Sequence, residues 1–281
     1  MIKTIGVLGS GVMGGGIAQM FAEKDFNVLL WDVEPSMAAS GFEKIKTRLM
    51  KSAEKGKIDI SVAEAVIGRI RPVASLREIA EAGLLIEAVV ENINVKAELY
   101  RSLEKIISPD AIVGTNTSSL SVEALSENWQ HPERFMGIHF FNPPTKLELV
   151  ELIQARKTSA AAVGKVKEVL EKCSKTTVDV KDSPGFIVNR LLLPMINEAA
   201  RLLDSGVAEA SAIDTAMRLG SLHPAGPLEL ADLIGLDVCQ KILESMALSL
   251  KNSFYEPAKA ITERVAAGNL GRKSGSGFYK Y

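Results

Sequence analysis

The sequence predicts an α/β domain built on a mostly parallel sheet, followed by an all-helical domain. Two observations carry this. From residue 3 to residue 180, apolar runs of strand length alternate with longer amphipathic stretches. Beyond Asp182-Ser183-Pro184-Gly185 the pattern is helical with no clear strand. The expected domains are therefore 1–183 and 184–281.

The first element is a buried strand, Lys3-Thr4-Ile5-Gly6-Val7-Leu8, and it runs into Gly9-Ser10-Gly11-Val12-Met13-Gly14. A dinucleotide bound here would give each glycine a task. Gly9 can take the angles of a sharp turn, Gly11 lets the backbone approach a pyrophosphate, and Gly14 lets the new helix pack close to the strand. A second strand, Asn27–Trp31, ends at Asp32, 18 residues past Gly14. That is near the spacing of about 20 residues expected of an acid that holds ribose hydroxyls. Together these make the first domain Rossmann-type. A carboxylate accepts from a 2′-hydroxyl and repels a 2′-phosphate, and Val33-Glu34-Pro35-Ser36 brings no Arg, so the expected cofactor is NAD rather than NADP. A plain turn after a strand is the other use of Asp32.

A polar helix is expected near Ser36–Lys55, a strand over Leu84–Val90, a helix near Val95–Ile107 and a short strand at Ala111–Gly114. Phe135–Phe141 and Leu147–Ile153 read as strands joined through Pro143-Pro144. That connection is too short for a crossover, so this pair is expected to be antiparallel, at one edge. A helix near Ala160–Cys173 and a strand near Thr176–Val180 complete the first domain. In the second, Ser183 is expected as N-cap with Pro184 in the first turn, and helices are expected near 185–204, 208–219, 227–250 and 257–267. Gly206, Gly220 and Gly268 sit where helices should stop. The apolar residues of the first of these helices cover more than one face, from Phe186 and Leu191 to Leu202, which predicts a central helix that also serves a homodimer interface.

Composition excludes several classes. With 281 residues, 47% of them apolar, the chain can fill two cores, and its formal net charge of −1 gives no reason to expect nucleic acid or a membrane surface as partner. No apolar run reaches the length of a membrane span. The chain enters a strand almost at once, with no secretory signal pattern, so the expected location is cytoplasmic. Cys173 and Cys239 lack metal-ligand spacing and read as reduced packing residues, with no metal expected.

Three histidines can be weighed singly. His131 lies in a polar loop, and His223, before Pro224, caps or packs a turn. His139 ends an apolar strand, Gly137-Ile138-His139-Phe140-Phe141-Asn142-Pro143, and open α/β sheets bind ligands at the carboxyl ends of their strands. Imidazole there can take a hydroxyl proton near neutral pH, or can be a satisfied core residue. Glu151 sits in the apolar strand Leu149–Ile153, where a carboxylate is costly unless paired. An imidazole partner and a solvent-facing edge position both resolve that cost. Gly114–Ser119 and Glu91–Lys96 follow strand ends and offer polar groups to a ligand, or cap helices. Arg48, Lys51 and Lys55 share one helix face, which is either solvated or set to meet phosphates.

Taken together, these segments resemble the short-chain L-3-hydroxyacyl-CoA dehydrogenase family over nearly the whole chain. The likeness runs through Gly6–Gly14, Val90-Glu91-Asn92, Asn116–Leu120, His139–Pro143, Ser183–Arg190, Gly226–Asp232 and Gly271–Tyr279. It implies that His139 and Glu151 are a catalytic pair, and that Ser118 and Asn189 bind the substrate's reacting oxygens. It also implies that Glu91, Lys96 and Asn116 contact NAD and that Lys51 and Lys55 meet the coenzyme A phosphates of an acyl-CoA substrate. The reaction implied interconverts 3-hydroxyacyl-CoA and 3-oxoacyl-CoA. A dehydrogenase of a free hydroxy or sugar acid and a non-catalytic, crystallin-like nucleotide-binding protein are the alternatives on the same architecture.

Overall fold

The computed structural model describes residues 2–281, which divide into two compact units, 2–182 and Ser183–Tyr281. Among the described residues, the first unit holds one eight-stranded sheet: β1 (Thr4–Leu8), β2 (Asn27–Trp31), β3 (Ile70–Val73), β4 (Leu84–Glu87), β5 (Ile112–Thr115), β6 (Phe135–Phe140), β7 (Leu149–Gln154) and β8 (Thr176–Lys181). Its order is β3-β2-β1-β4-β5-β6-β7-β8. Strands β1 to β6 run parallel, β7 reverses against β6, and β8 runs parallel to β7. The reversal expected at Pro143-Pro144 is present, but it does not lie at an edge, because β8 continues the sheet beyond it.

The unit's helices are α1 (Val12–Ala22), α2 (Pro35–Glu54), α3 (Ile60–Gly68), α4 (Ile93–Leu103), α5 (Val122–Ser126) and α6 (Ala160–Lys172). One face of the sheet packs on α1, α2, α3 and α6, where Ile5, Val7, Leu84, Ile86, Ile138, Phe140, Val150 and Leu152 form a core with Phe21, Ile45, Val66 and Val166. Strand side chains alternate across the sheet, so Glu87, His139 and Glu151 point to the other face. There Tyr100 of α4 meets Trp129 and Phe135 edge-on, at ring separations of 6.2 and 5.2 Å. On the first face Phe21 of α1 meets Phe140 edge-on at 6.3 Å, and a Cβ on Gly16 would lie 2.9 Å from the Pro144 ring.

Several boundaries differ from the sequence reading. The chain between α2 and β4 contains α3 and β3, neither of which was expected. Strand β4 stops at Glu87, because Val89 N turns back to bond Glu87 Oε1 at 2.8 Å. In the second unit the helices are α7 (Val188–Asp204), α8 (Ala210–Gly220), α9 (Pro227–Ile234), α10 (Leu236–Leu250) and α11 (Lys259–Ala266). The helix expected over 227–250 is two helices, since Gly235 takes φ 105°, a conformation no L-residue enters easily. Nor does Ser183 cap α7. Gly185 and Phe186 both have positive φ, so the helix cannot begin before Val188.

The helical unit closes around Leu193, Ile196, Ala200, Leu228, Leu236, Leu243, Met246 and Ile261. Two buried aspartates fasten its final segment. Asp214 accepts from Leu228 N, Glu229 N and Tyr279 OH at 2.8, 2.9 and 2.6 Å, so it caps α9 and holds the tail at once. Asp232 accepts from Phe278 N and Tyr279 N, both at 2.9 Å. Cys173 and Cys239 are both free and buried, and burial pushes each thiol up to about 12.

Asp232→Ala is expected to destabilise the protein by about 3 kcal/mol, since it strands two amides bonded to a carboxylate, each bond contributing roughly 1.5–3 kcal/mol. Asp232→Asn keeps one acceptor oxygen and loses less. Chemical denaturation checks both, and equal stability of wild type and Asp232→Ala would contradict the tail anchor.

Candidate active site

The C-terminal ends of β1, β2, β4, β5 and β6 share one edge of the sheet, and the strand order changes direction between β1 and β4. The glycine turn stands at that point. A Cβ on Gly9, which has φ 103°, would meet the Ala88 carbonyl at 2.5 Å, and one on Gly14 would fall inside the Gly9 carbonyl. Above Gly11 there is open space, with no atom within 4 Å of its Cβ position. No side chain caps α1, so its first amides point outward without an acceptor from a capping side chain. Exposed Val12, Val33 and Val90 follow β1, β2 and β4 at the same edge. Such a cradle, with donors and no bulk, fits a dinucleotide pyrophosphate.

Asp32 is buried at the end of β2, but much of its capacity is used inside the protein. Its Oδ2 accepts from Ser10 N at 2.7 Å and Ser10 Oγ at 2.6 Å, and its Oδ1 accepts from Val33 N at 2.8 Å. Of roughly four acceptor directions on a carboxylate, about one is left for a ligand hydroxyl. Ser10 is the tie between turn and acid, a role the sequence reading did not give it.

His139 and Glu151 are register partners across β6 and β7, so both side chains leave the sheet on the same face. His139 Nδ1 lies 2.7 Å from Glu151 Oε2, and the two side chains are 6% and 1% exposed. The pairing resolves the choice left open for Glu151. It is an imidazole partner within the sheet, not an edge carboxylate. Phe141 packs on the imidazole at 4.6 Å. His131, by contrast, is half exposed beside Glu133 at 3.5 Å.

Next to this pair, the loops after β4 and β5 are joined through charge. Glu91 Oε1 accepts from Thr117 Oγ1 at 2.5 Å, Ser118 N at 3.0 Å, and Ser119 N and Oγ at 3.1 and 3.0 Å. Its Oε2 lies 3.2 Å from Lys96 Nζ. Burial works against ionisation of Glu91, but the Lys96 ammonium and the bonds from Thr117 and Ser118 outweigh it and hold its carboxyl below the usual range. Lys96 is buried at the first turn of α4 and pairs with Glu87 at 2.7 Å. Asn92 caps that helix, accepting from Asn94 N and Val95 N. Asn116 Oδ1 accepts from Phe140 N at 2.9 Å, locking the loop after β5 to the end of β6. Ser118 is half-buried on the turn that Glu91 gathers.

Further along, the α2 face and the turn after it line an open concavity of about 550 Å³ that carries Lys44, Arg48, Lys51, Lys55 and Lys57. Lys51 and Lys55 are exposed there, while Arg48 is tied to Gln19 Oε1, its Nε at 2.7 Å. Asn189, in the helical unit, is buried at the start of α7.

Lys96→Met would leave the Glu87 carboxylate buried without its counter-charge, an expected loss of about 3–5 kcal/mol. Adding Glu87→Gln removes that charge while keeping an acceptor, and recovers part of the loss. Chemical denaturation of both variants reads the difference.

The comparisons with known proteins point one way. Residues 4–183 match the model of the 3-hydroxyacyl-CoA dehydrogenase NAD binding domain, and residues 185–281 match that of the 3-hydroxyacyl-CoA dehydrogenase C-terminal domain. The chain is 44% identical over 280 residues to the probable 3-hydroxybutyryl-CoA dehydrogenase of Bacillus subtilis, covering 100% of this chain and 98% of the relative. It is 43% identical to the 3-hydroxybutyryl-CoA dehydrogenase of Bradyrhizobium diazoefficiens, covering 100% and 96%. Among solved structures, (S)-3-hydroxybutyryl-CoA dehydrogenase from Ralstonia eutropha superposes with a TM-score of 0.94 at 38% identity, covering 100% and 99%.

Proposed function

The chain belongs to the 3-hydroxyacyl-CoA dehydrogenase family, NAD-dependent oxidoreductases, and on that premise we propose that it interconverts (S)-3-hydroxybutyryl-CoA and acetoacetyl-CoA with His139 as the proton-transferring group. The single observation that carries this role is the 2.7 Å contact between His139 Nδ1 and Glu151 Oε2. With Nδ1 held by a carboxylate, Nε2 is the nitrogen that faces a substrate hydroxyl as acceptor. In oxidation, His139 takes the 3-hydroxyl proton at Nε2, and Glu151 stabilises the imidazolium that forms. In reduction, the same imidazolium returns the proton to the 3-oxo oxygen. The turn of Gly9, Gly11 and Gly14, with Asp32, Glu91, Lys96 and Asn116, would hold NAD, whose nicotinamide ring would accept the hydride given up by C3 of the substrate. Ser118 steadies the reacting oxygen, and Asn189 is assigned the thioester oxygen.

For the coenzyme A end, the five cations at the α2 face supply the charge that phosphates need, with Lys51 in the last turn of the helix and Lys55 just past it. The same reading makes the protein a cytoplasmic homodimer. Two buried free thiols suit a reducing compartment. An apolar concavity of about 490 Å³ on the helical unit, lined by Met195, Leu202, Val207, Ile213 and Met217, offers surface to a second copy. Among the described residues, no helix is long and apolar enough to cross a membrane.

His139→Ala is expected to lower kcat for acetoacetyl-CoA reduction by about 10²–10⁴-fold, and Glu151→Gln by less, as befits a group acting through the imidazole. NADH absorbance reads both, and wild-type turnover in His139→Ala would overturn the assignment. The double variant Lys51→Ala, Lys55→Ala is expected to raise KM for acetoacetyl-CoA while leaving kcat near wild type. An unchanged KM, or equal activity on the free 3-oxo acid, would remove the lysines from substrate binding.

A further inference from the structure

Glu87 has no part in the mechanism above, yet its carboxylate is fully buried at the C-terminal end of β4, on the sheet face that carries His139. Its Oε1 accepts from Lys96 Nζ at 2.7 Å and Val89 N at 2.8 Å, and its Oε2 from Tyr100 OH at 2.7 Å and Thr115 Oγ1 at 2.8 Å. That fills the roughly four acceptor directions of a carboxylate. Glu87 cannot also reach a substrate or cofactor, so any effect on the reaction must pass through a partner.

Lys96 is the partner with reach. Its ammonium sits between Glu87, at 2.7 Å, and Glu91 Oε2, at 3.2 Å. Glu91 in turn gathers the donors of Thr117, Ser118 and Ser119 on its other oxygen. One ammonium therefore serves two carboxylates, the fully buried one held by four donors and the other partly exposed. The buried site decides where the charge lies, because an ammonium out of water follows its best-fixed counter-charge. We propose that Glu87 is a positioning residue for the dehydrogenase reaction. By fixing Lys96 it holds Glu91, and through Glu91 it sets the turn that carries Ser118. The proposal rests on the reading that gives Ser118 the reacting oxygen.

A purely structural role for this cluster is the competing account. Buried ion pairs contribute little net stability over apolar packing, whereas this one joins β4, α4 and the loop after β5 at the edge where the site is built. The two accounts separate experimentally. Glu87→Gln keeps the shape but turns an amide or a neutral oxygen toward the ammonium. Hydrogen exchange should then quicken at the amides of Ser118 and Ser119 while those of β1 stay protected. With a displacement near 1 Å, kcat should fall by up to about 10²-fold, with KM for acetoacetyl-CoA within roughly threefold of wild type. Glu87→Asp, which retains the charge, should recover part of the loss, and it carries the same test should Glu87→Gln not fold. In the double variant with Glu91→Gln, adding Glu87→Gln should cost little more than Glu91→Gln alone. Ile86→Val, one residue away on β4, is the control that lowers the melting temperature with neither effect.

If Glu87→Gln lowers the melting temperature but leaves both exchange at 118–119 and kcat at wild-type values, the proposal is overturned. It also falls if exchange quickens and kcat holds. In that case Ser118→Ala tells which statement failed: slowed turnover there indicts Glu87 alone, and unchanged turnover indicts the role of Ser118 on which it rests.

Discussion

An ionisable side chain inside a sheet needs a partner of opposite charge or a full set of hydrogen bonds, because bringing a bare charge out of water costs far more than the net stability of a domain. Three buried carboxylates at the C-terminal edge of this sheet meet that demand in three ways. Asp32 takes donors from Ser10 and Val33, Glu87 takes an ammonium and three neutral donors, and Glu151 faces an imidazole. Each solution ties two stretches of chain together. Ser10 and Asp32 join the turn after β1 to the end of β2, Glu87 joins β4 to α4 and β5, and the last pair joins β6 to β7. The demand for paired charge thus fixes the loops that an α/β sheet uses for binding.

The reversal of strand direction after β6 gives that edge its chemistry. A seventh parallel strand would need a long crossover. The short passage through Asn142-Pro143-Pro144 instead brings β7 straight back, and places Glu151 opposite His139 twelve residues earlier. One face of this hairpin, through Ile138, Phe140, Val150 and Leu152, belongs to the main apolar core. The imidazole therefore rests on a rigid scaffold, held by a carboxylate as rigid as itself.

Much of this was legible in the sequence, for reasons that differ by residue. The glycine turn and Asp32 depend on short spacings within one supersecondary unit, and such spacings survive folding unchanged, whereas the residues alone left the partner of Glu151 open and only the family resemblance implied its pairing with His139. The strand β3 was not legible because Arg71 and Pro72 occupy its middle, and an edge strand tolerates both. Gly235 breaks an apolar run that reads as one helix, and only its backbone angle reveals the break. Glu87 lay inside the expected strand Leu84–Val90 with no role assigned to it. Its partners Lys96, Tyr100 and Thr115 lie on two later elements, and no periodicity in the chain connects them. Ser10 was hidden in the variable position of the glycine turn, where its tie to Asp32 appears only in three dimensions.

The contact between α1 and the β6–β7 hairpin has a practical side. Gly16 abuts the Pro144 ring, and Phe21 of the same helix meets Phe140, the neighbour of His139. Added bulk at residue 16 would press on the connection that sets the spacing of the imidazole and its acid. Gly11 has open space and Gly15 has only ordinary contacts. The inner side of this helix thus has no room for even a methyl group without disturbing the proton-transfer machinery, and the room that exists at Gly11 is the room a pyrophosphate needs.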